Sequence, residues 1–158
     1  MIFVAFVGYF GVQLLNLVPM YLTQVRTEET RNEAYLISDM MVNDPGNPIN
    51  WPSQEGNIKR IGMNDETQNL TNVVSTAKLN EFFNLCQSGY FHVLNWMGTT
   101  HEFYLVASEI NATDGSVDAI LTCQPPNLIF GTGTVNTTIT RFAAINSTEY
   151  VQFILQVV

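Results

Sequence analysis

Residues 1–25 read MIFVAFVGYFGVQLLNLVPMYLTQV, and the first charged side chain after them is Arg26. As a helix, twenty-five residues at 1.5 Å each span about 38 Å, enough to cross a hydrocarbon core of about 30 Å. A secretory signal peptide would carry a basic start and a shorter apolar run, so the segment is expected to be retained. It is also interrupted: Gly8, Gly11, Gln13, Asn16 and Pro19 stand among the apolar residues. Small and polar residues in an apolar helix let other helices approach closely or hydrogen-bond across, and Pro19 should bend the helix. Two readings follow: a single-pass anchor with tolerated interruptions, or a helix that packs against many copies of itself. The second is preferred, with Phe3, Phe6, Gly8, Gly11, Gln13, Leu14, Asn16 and Pro19 as candidate assembly residues.

The helical pattern continues beyond Arg26. Ala34, Ile37 and Met41 repeat at helical spacing, with Leu36 and Met40 alongside, while Glu28, Glu29, Arg31 and Glu33 mark where water begins. The stretch from Asn43 to Pro48, NDPGNP, is an explicit stop. The expected division is therefore a helix over 1–43, apolar over 1–25 and amphipathic over 26–43, followed by a head over 44–158.

In the head, Asn57 to Met63 alternates well enough for a short strand. Ser75 is a suitable N-cap for a helix carrying Leu79, Phe82, Phe83 and Cys86 on one side. Ser88-Gly89 should break it, with a second short helix from Tyr90 to Met97 that places Phe91, Leu94 and Met97 together and ends at Gly98. Phe103–Ser108, Val117–Cys123, Thr134–Ile145 and Tyr150–Val158 read as strands separated by turn chemistry. The fold class expected is α+β: a long N-terminal apolar helix, then a β-rich head with two short helices and a mostly antiparallel sheet.

Only 13% of residues are charged, and fourteen acids against six bases give a net charge of −8. Nucleic acid is thereby excluded as a partner, since it needs clustered Lys and Arg and the only adjacent basic pair is Lys59-Arg60. Cys86 and Cys123 are either two buried free thiols or one disulfide, the latter favoured by the exported character of the chain. Neither they nor His92 and His101 have metal-ligand spacing, and no metal or cofactor is expected. Four N-x-S/T sequons, at Asn69, Asn111, Asn136 and Asn146, are candidate glycosylation sites or chance matches in an Asn- and Thr-rich chain. No nucleophile motif, P-loop or zinc-protease signature occurs, and Gly131-Thr132-Gly133 reads as a turn. The protein is expected not to be an enzyme.

One ordered set of features resembles the archaeal type IV pilin-like proteins, which are made with a short leader removed by a prepilin peptidase. It comprises the apolar N-terminal helix, Glu33 to Ser38 (EAYLIS), Asp44 to Pro48 with Trp51, and Asn57 to Met63 (NIKRIGM). Val74-Ser75 with Lys78-Leu79-Asn80, the Tyr90–Gly98 segment before Phe103-Tyr104-Leu105, and Thr140-Arg141-Phe142 before the final β-run complete it. Each motif is weak alone, but together they cover most of the chain in order. The resemblance implies a homo-oligomeric, helical extracellular filament with helices bundled in its core and heads outward, membrane-held before assembly and able to contact surfaces or cells, or a minor subunit that primes or caps one. The family's basic leader is not within this sequence, so the chain is expected to be either the mature form or one with an unusual start. The alternative expectation is a membrane-anchored, adhesin-like binding module that does not polymerise.

Overall fold

The computed structural model describes residues 2–68, 70–126 and 137–157, with backbone alone for 2–7, 10, 12, 14–17, 20 and 55. Helix α1 runs Ile2–Asn43, α2 runs Thr76–Met97, and four strands follow: β1 (Phe103–Asn111), β2 (Val117–Cys123), β3 (Thr137–Ala144) and β4 (Glu149–Val157). All pairings are antiparallel, in the order β2-β1-β4-β3.

Alternation decides which sheet face is covered. Phe103, Leu105 and Ala107 of β1, Val151, Phe153, Leu155 and Val157 of β4, and Ile139 and Ala143 of β3 are all buried. The register pairs Leu105 with Leu155 and Cys123, and Leu155 with Ile139, so these residues form one continuous apolar face. Both helices lie on it. The second half of α1 contributes Ala34, Ile37, Met41 and Val42, and α2 contributes Leu79, Phe82, Phe83, Val93 and Met97.

The expected apolar, membrane-length helix is corrected. Among the described residues, no helix is long and apolar enough to cross a membrane. The side chains of α1 are described without a break only from Tyr21, and residues 21–43 carry Arg26, Glu28, Glu29, Arg31, Glu33 and Asp39. Those charges make this part of the helix amphipathic. Pro19 lies inside α1 without ending it, and its carbonyl accepts the Thr23 hydroxyl at 2.8 Å.

Two further expectations change. The break expected at Ser88-Gly89 is there, two helices meeting within α2 where Gly89 leaves helical angles (φ −161°, ψ 60°), but the buried face of the second differs from the one expected. The kink resets the helical phase, so Tyr90 and Val93 face the core while Phe91 is exposed. Gly98 ends the helix in the left-handed region (φ 68°, ψ 24°), where a side chain would be strained. Asn57–Met63 is not a strand. It holds a 3-10 turn end and a single bridge between Arg60 and Asn47, because its chain wraps the buried Trp51, whose Nε1–H donates to the Gly62 carbonyl at 2.8 Å. Gly62 is required there: a Cβ would stand 2.1 Å from the Asp44 carbonyl oxygen.

Lys78 anchors this wrap. Only 6% exposed, it donates all three ammonium protons: to the Pro45 carbonyl (2.9 Å), the Asn64 carbonyl (2.9 Å) and the Glu66 carboxylate (2.7 Å). Lys78→Met keeps the stem and strands these acceptors. It is expected to cost about 2–4 kcal/mol, read as a lower urea midpoint at unchanged slope.

Candidate assembly surface

From Tyr21 to Glu29 every side chain of α1 is exposed, and Thr30 is the first buried residue. Helix α1 therefore buries no described side chain before Thr30, although from Val25 onward it already lines a groove with the end of α2. Some of its exposed residues share a face, while the exposed Tyr9 lies on another. Gly8, Gly11, Val18, Leu22 and Val25 follow one another by three, seven, four and three residues, which places them on one helical face. Val18, Leu22 and Val25 are 55%, 55% and 42% exposed. Gly8 and Gly11 have open space around them, with nothing within 4 Å of a built Cβ.

The stripe runs on into a surface groove of about 910 Å³, walled by α1 from Val25 to Met40 and by the end of α2. Leu36, eleven residues beyond Val25, lies on the same face and is 66% exposed; Met40 and Trp96 are partly buried beneath it. Glu28 and Glu29 line the helical wall, with Lys59 and Arg60 across from them. Arg60 is paired with Asp44 at 2.8 Å.

A polar latch closes one end of this groove. Glu33 accepts the Thr99 hydroxyl on one carboxylate oxygen and pairs with His101 Nδ1 on the other, while the His101 backbone N–H donates to the Thr99 hydroxyl oxygen at 3.1 Å. The latch ties α1 to the connection between α2 and β1. Burial pushes the Glu33 carboxyl up, but the bonds from Thr99 and His101, the His101 charge and the Thr100 backbone N–H together hold it below the ordinary carboxylate value. A depressed carboxylate stabilises the fold above its unfolded pKa, and that stability is lost as pH falls through the lower folded value. Glu33→Gln is therefore expected to lower the melting temperature near pH 7 and to lose most of that deficit near pH 3. Melting curves of the two proteins across that range check it; a constant deficit would exclude the charge-dependent role.

The candidate residues distribute unevenly. Gly8, Gly11, Gln13 and Pro19 are exposed on α1; the side chains of Phe3, Phe6, Leu14 and Asn16 lie outside those described. Cys86 and Cys123 meet as a disulfide joining α2 to the end of β2, with Cα atoms 5.6 Å apart. Asn111 and Asn146 lie at one end of the sheet, and Asn69, Asn136 and Gly131-Thr132-Gly133 fall outside the described residues. His92 stacks on Trp96 at 5.8 Å and 29°. The groove and latch were not read from the sequence. Glu33 and His101 are 68 positions apart, and their only early signal is that Glu33 borders the buried face beside Ala34.

Searches for similarity to protein families, characterised proteins and solved structures return no match.

Proposed function

We propose that this chain is a structural, non-catalytic subunit of an extracellular type IV pilus-like filament, assembled through α1 with its heads outward. The observation that carries the reading is the exposed stripe of Gly8, Gly11, Val18, Leu22 and Val25 on the part of α1 whose described side chains are all exposed. Fully burying a valine or leucine side chain is worth about 1.5–3 kcal/mol, and these half-exposed ones would gain part of that against a neighbouring subunit. Glycines three apart leave room for a neighbouring backbone. The disulfide supports a location outside reducing compartments, and the order of motifs shared with the archaeal type IV pilin-like proteins points the same way.

Negative-stain imaging of the purified full chain, beside a chain lacking residues 1–25, tests the proposal. Filaments from the first and none from the second are expected. A full chain that stays monomeric at every concentration would overturn the reading in favour of a binding module.

A further inference from the structure

The sheet brings two of the four sequons to one pole. Asn111 ends β1 and pairs with Glu149 at the start of β4, and the Ala112 N–H donates to the Thr148 carbonyl at 2.7 Å. The sequons Asn111-Ala112-Thr113 and Asn146-Ser147-Thr148 are thus neighbours across the β1–β4 pairing.

Their surroundings differ. Asn146 is exposed, in the turn between β3 and β4. Its Oδ1 accepts from the Thr148 N–H (2.8 Å), the Thr148 hydroxyl (3.0 Å) and the Glu149 N–H (3.0 Å). Its Nδ2 donates to the Glu149 carboxylate at 2.5 Å. The two groups that define the sequon, the amide and the threonine hydroxyl, are therefore already side by side, in a turn outside the ladder. Both backbone N–H groups are bonded, Asn111 to the Ser116 carbonyl at 2.9 Å and Asn146 to the Glu149 carbonyl at 3.2 Å, but Asn111 is half-buried within β1. Thr113 reaches it only through the backbone N–H, at 2.8 Å; among the described residues its hydroxyl makes no bond to Asn111. An enzyme could draw Asn111 into an active site only by pulling a paired strand residue out of the sheet.

We propose that Asn146 is an N-glycosylation acceptor in the folded chain and that Asn111, beside it on the same pole, is not. In the transfer, Asn146 Nδ2 forms a bond to the anomeric carbon of a lipid-phosphate-linked oligosaccharide. The anomeric carbon–oxygen bond to phosphate breaks, the phosphate leaves with the electron pair, and one amide proton passes to a base of the transferase. The step involves no oxidation or reduction. The sugar would stand over a pole bearing Glu109, Asp118 and Glu149, where burial, and after it the charges of Glu149 and Asp118, raise the Glu109 carboxyl above its ordinary value. A neutral glycan there screens acidic surface without adding charge.

Purified, folded full chain from a host without N-glycosylation is incubated with lipid-linked oligosaccharide and a single-subunit oligosaccharyltransferase that reads N-x-S/T. Glycopeptide mass spectrometry then reads occupancy at each asparagine. Occupancy at Asn146 severalfold above Asn111 is expected, with the difference collapsing once the chain is reduced and unfolded in urea. Thr148→Ala should abolish modification at Asn146, Thr148→Ser should retain it, and Asn111→Gln should leave it unchanged. Equal modification of both asparagines in the folded chain, or an unmodified Asn146 in a chain that accepts sugar at Asn111, would overturn the proposal.

Discussion

Replacing Gly8 and Gly11 together by leucine is expected to raise the critical concentration for assembly of the full chain tenfold or more while leaving the melting of its head unchanged. A tenfold rise is about 1.4 kcal/mol per subunit contact. The two halves of this outcome rest on different observations. Within one subunit a Cβ at either glycine meets nothing within 4 Å, so leucine disturbs no internal packing. Glycine to leucine should favour an exposed helix by somewhat under about 1 kcal/mol per site, which rules out local unfolding as the cause of any assembly defect. Between subunits the effect reverses. Two helices that meet over glycines approach closely, and leucine forces them apart to the ordinary separation of about 8–10 Å. Sedimentation velocity across a dilution series, with circular dichroism on the same samples, separates the two effects. Unchanged assembly of the double variant would show that this face of α1 is not the contact. The chain lacking residues 1–25 provides the limiting case. None of the described buried side chains precedes Thr30, so the head keeps its core and should remain a soluble, β-rich monomer.

Strand structure was the most legible part of the sequence, because a half-buried strand reports its own burial by alternation. Val117–Cys123 matches β2 at both ends, and the inward set Val151, Phe153, Leu155 and Val157 is buried as its spacing implies. The cysteine pair was legible on another ground: of free thiols and a disulfide, the bridge was favoured by the exported character read for the chain, and it is present. Phase within α2 was not legible. Ser88-Gly89 reads correctly as a break, but the kink there turns the second helix, moving Phe91 to solvent and Tyr90 inward. Tyr90 then does what a phenylalanine could not, donating its hydroxyl to the Phe103 carbonyl at 2.9 Å and accepting the Phe103 N–H at 2.8 Å. Desolvation outweighs these bonds and pushes its phenol up to about 12. Asn57–Met63 misled because alternation also arises when a loop wraps one large side chain, here Trp51. The apolar reading of residues 1–25 treated that segment by composition alone. The stripe and groove of α1, on which the proposed contact rests, depend on where the head stops covering the helix, which no local pattern records. The Glu33–His101 latch is further still from local sequence, since it arises only when α1 and α2 lie on the same sheet face.

Reduction of the Cys86–Cys123 disulfide is expected to be the largest single loss of stability available to the head. The bridge closes a loop of 37 positions, and the chain-entropy estimate for such a loop is about 4 kcal/mol. For a head of this size that corresponds to a fall in melting temperature on the order of 20 °C. The position of the bridge makes the loss cooperative. Cys86 sits three residues before the Gly89 kink, and Cys123 ends the edge strand β2, which is hydrogen-bonded among the described residues only to β1. The bridge therefore holds the bend of α2 against an otherwise weakly held edge. Both sulfur-bearing residues are buried, at 4% and 1% exposure, so reductant acts only through local opening or global unfolding. Two results follow from that burial. In the native chain neither cysteine should be alkylated, with or without brief exposure to a mild reductant. In a Cys86→Ala, Cys123→Ala double variant, urea unfolding should show the full deficit without any reductant. A deficit below about 1 kcal/mol would mean that the unfolded chain is already compact around this loop, so that closing it removes little entropy. Equal alkylation of both cysteines in the unreduced, unfolded chain would instead remove the bridge itself, and with it the observation that supports a location outside a reducing compartment.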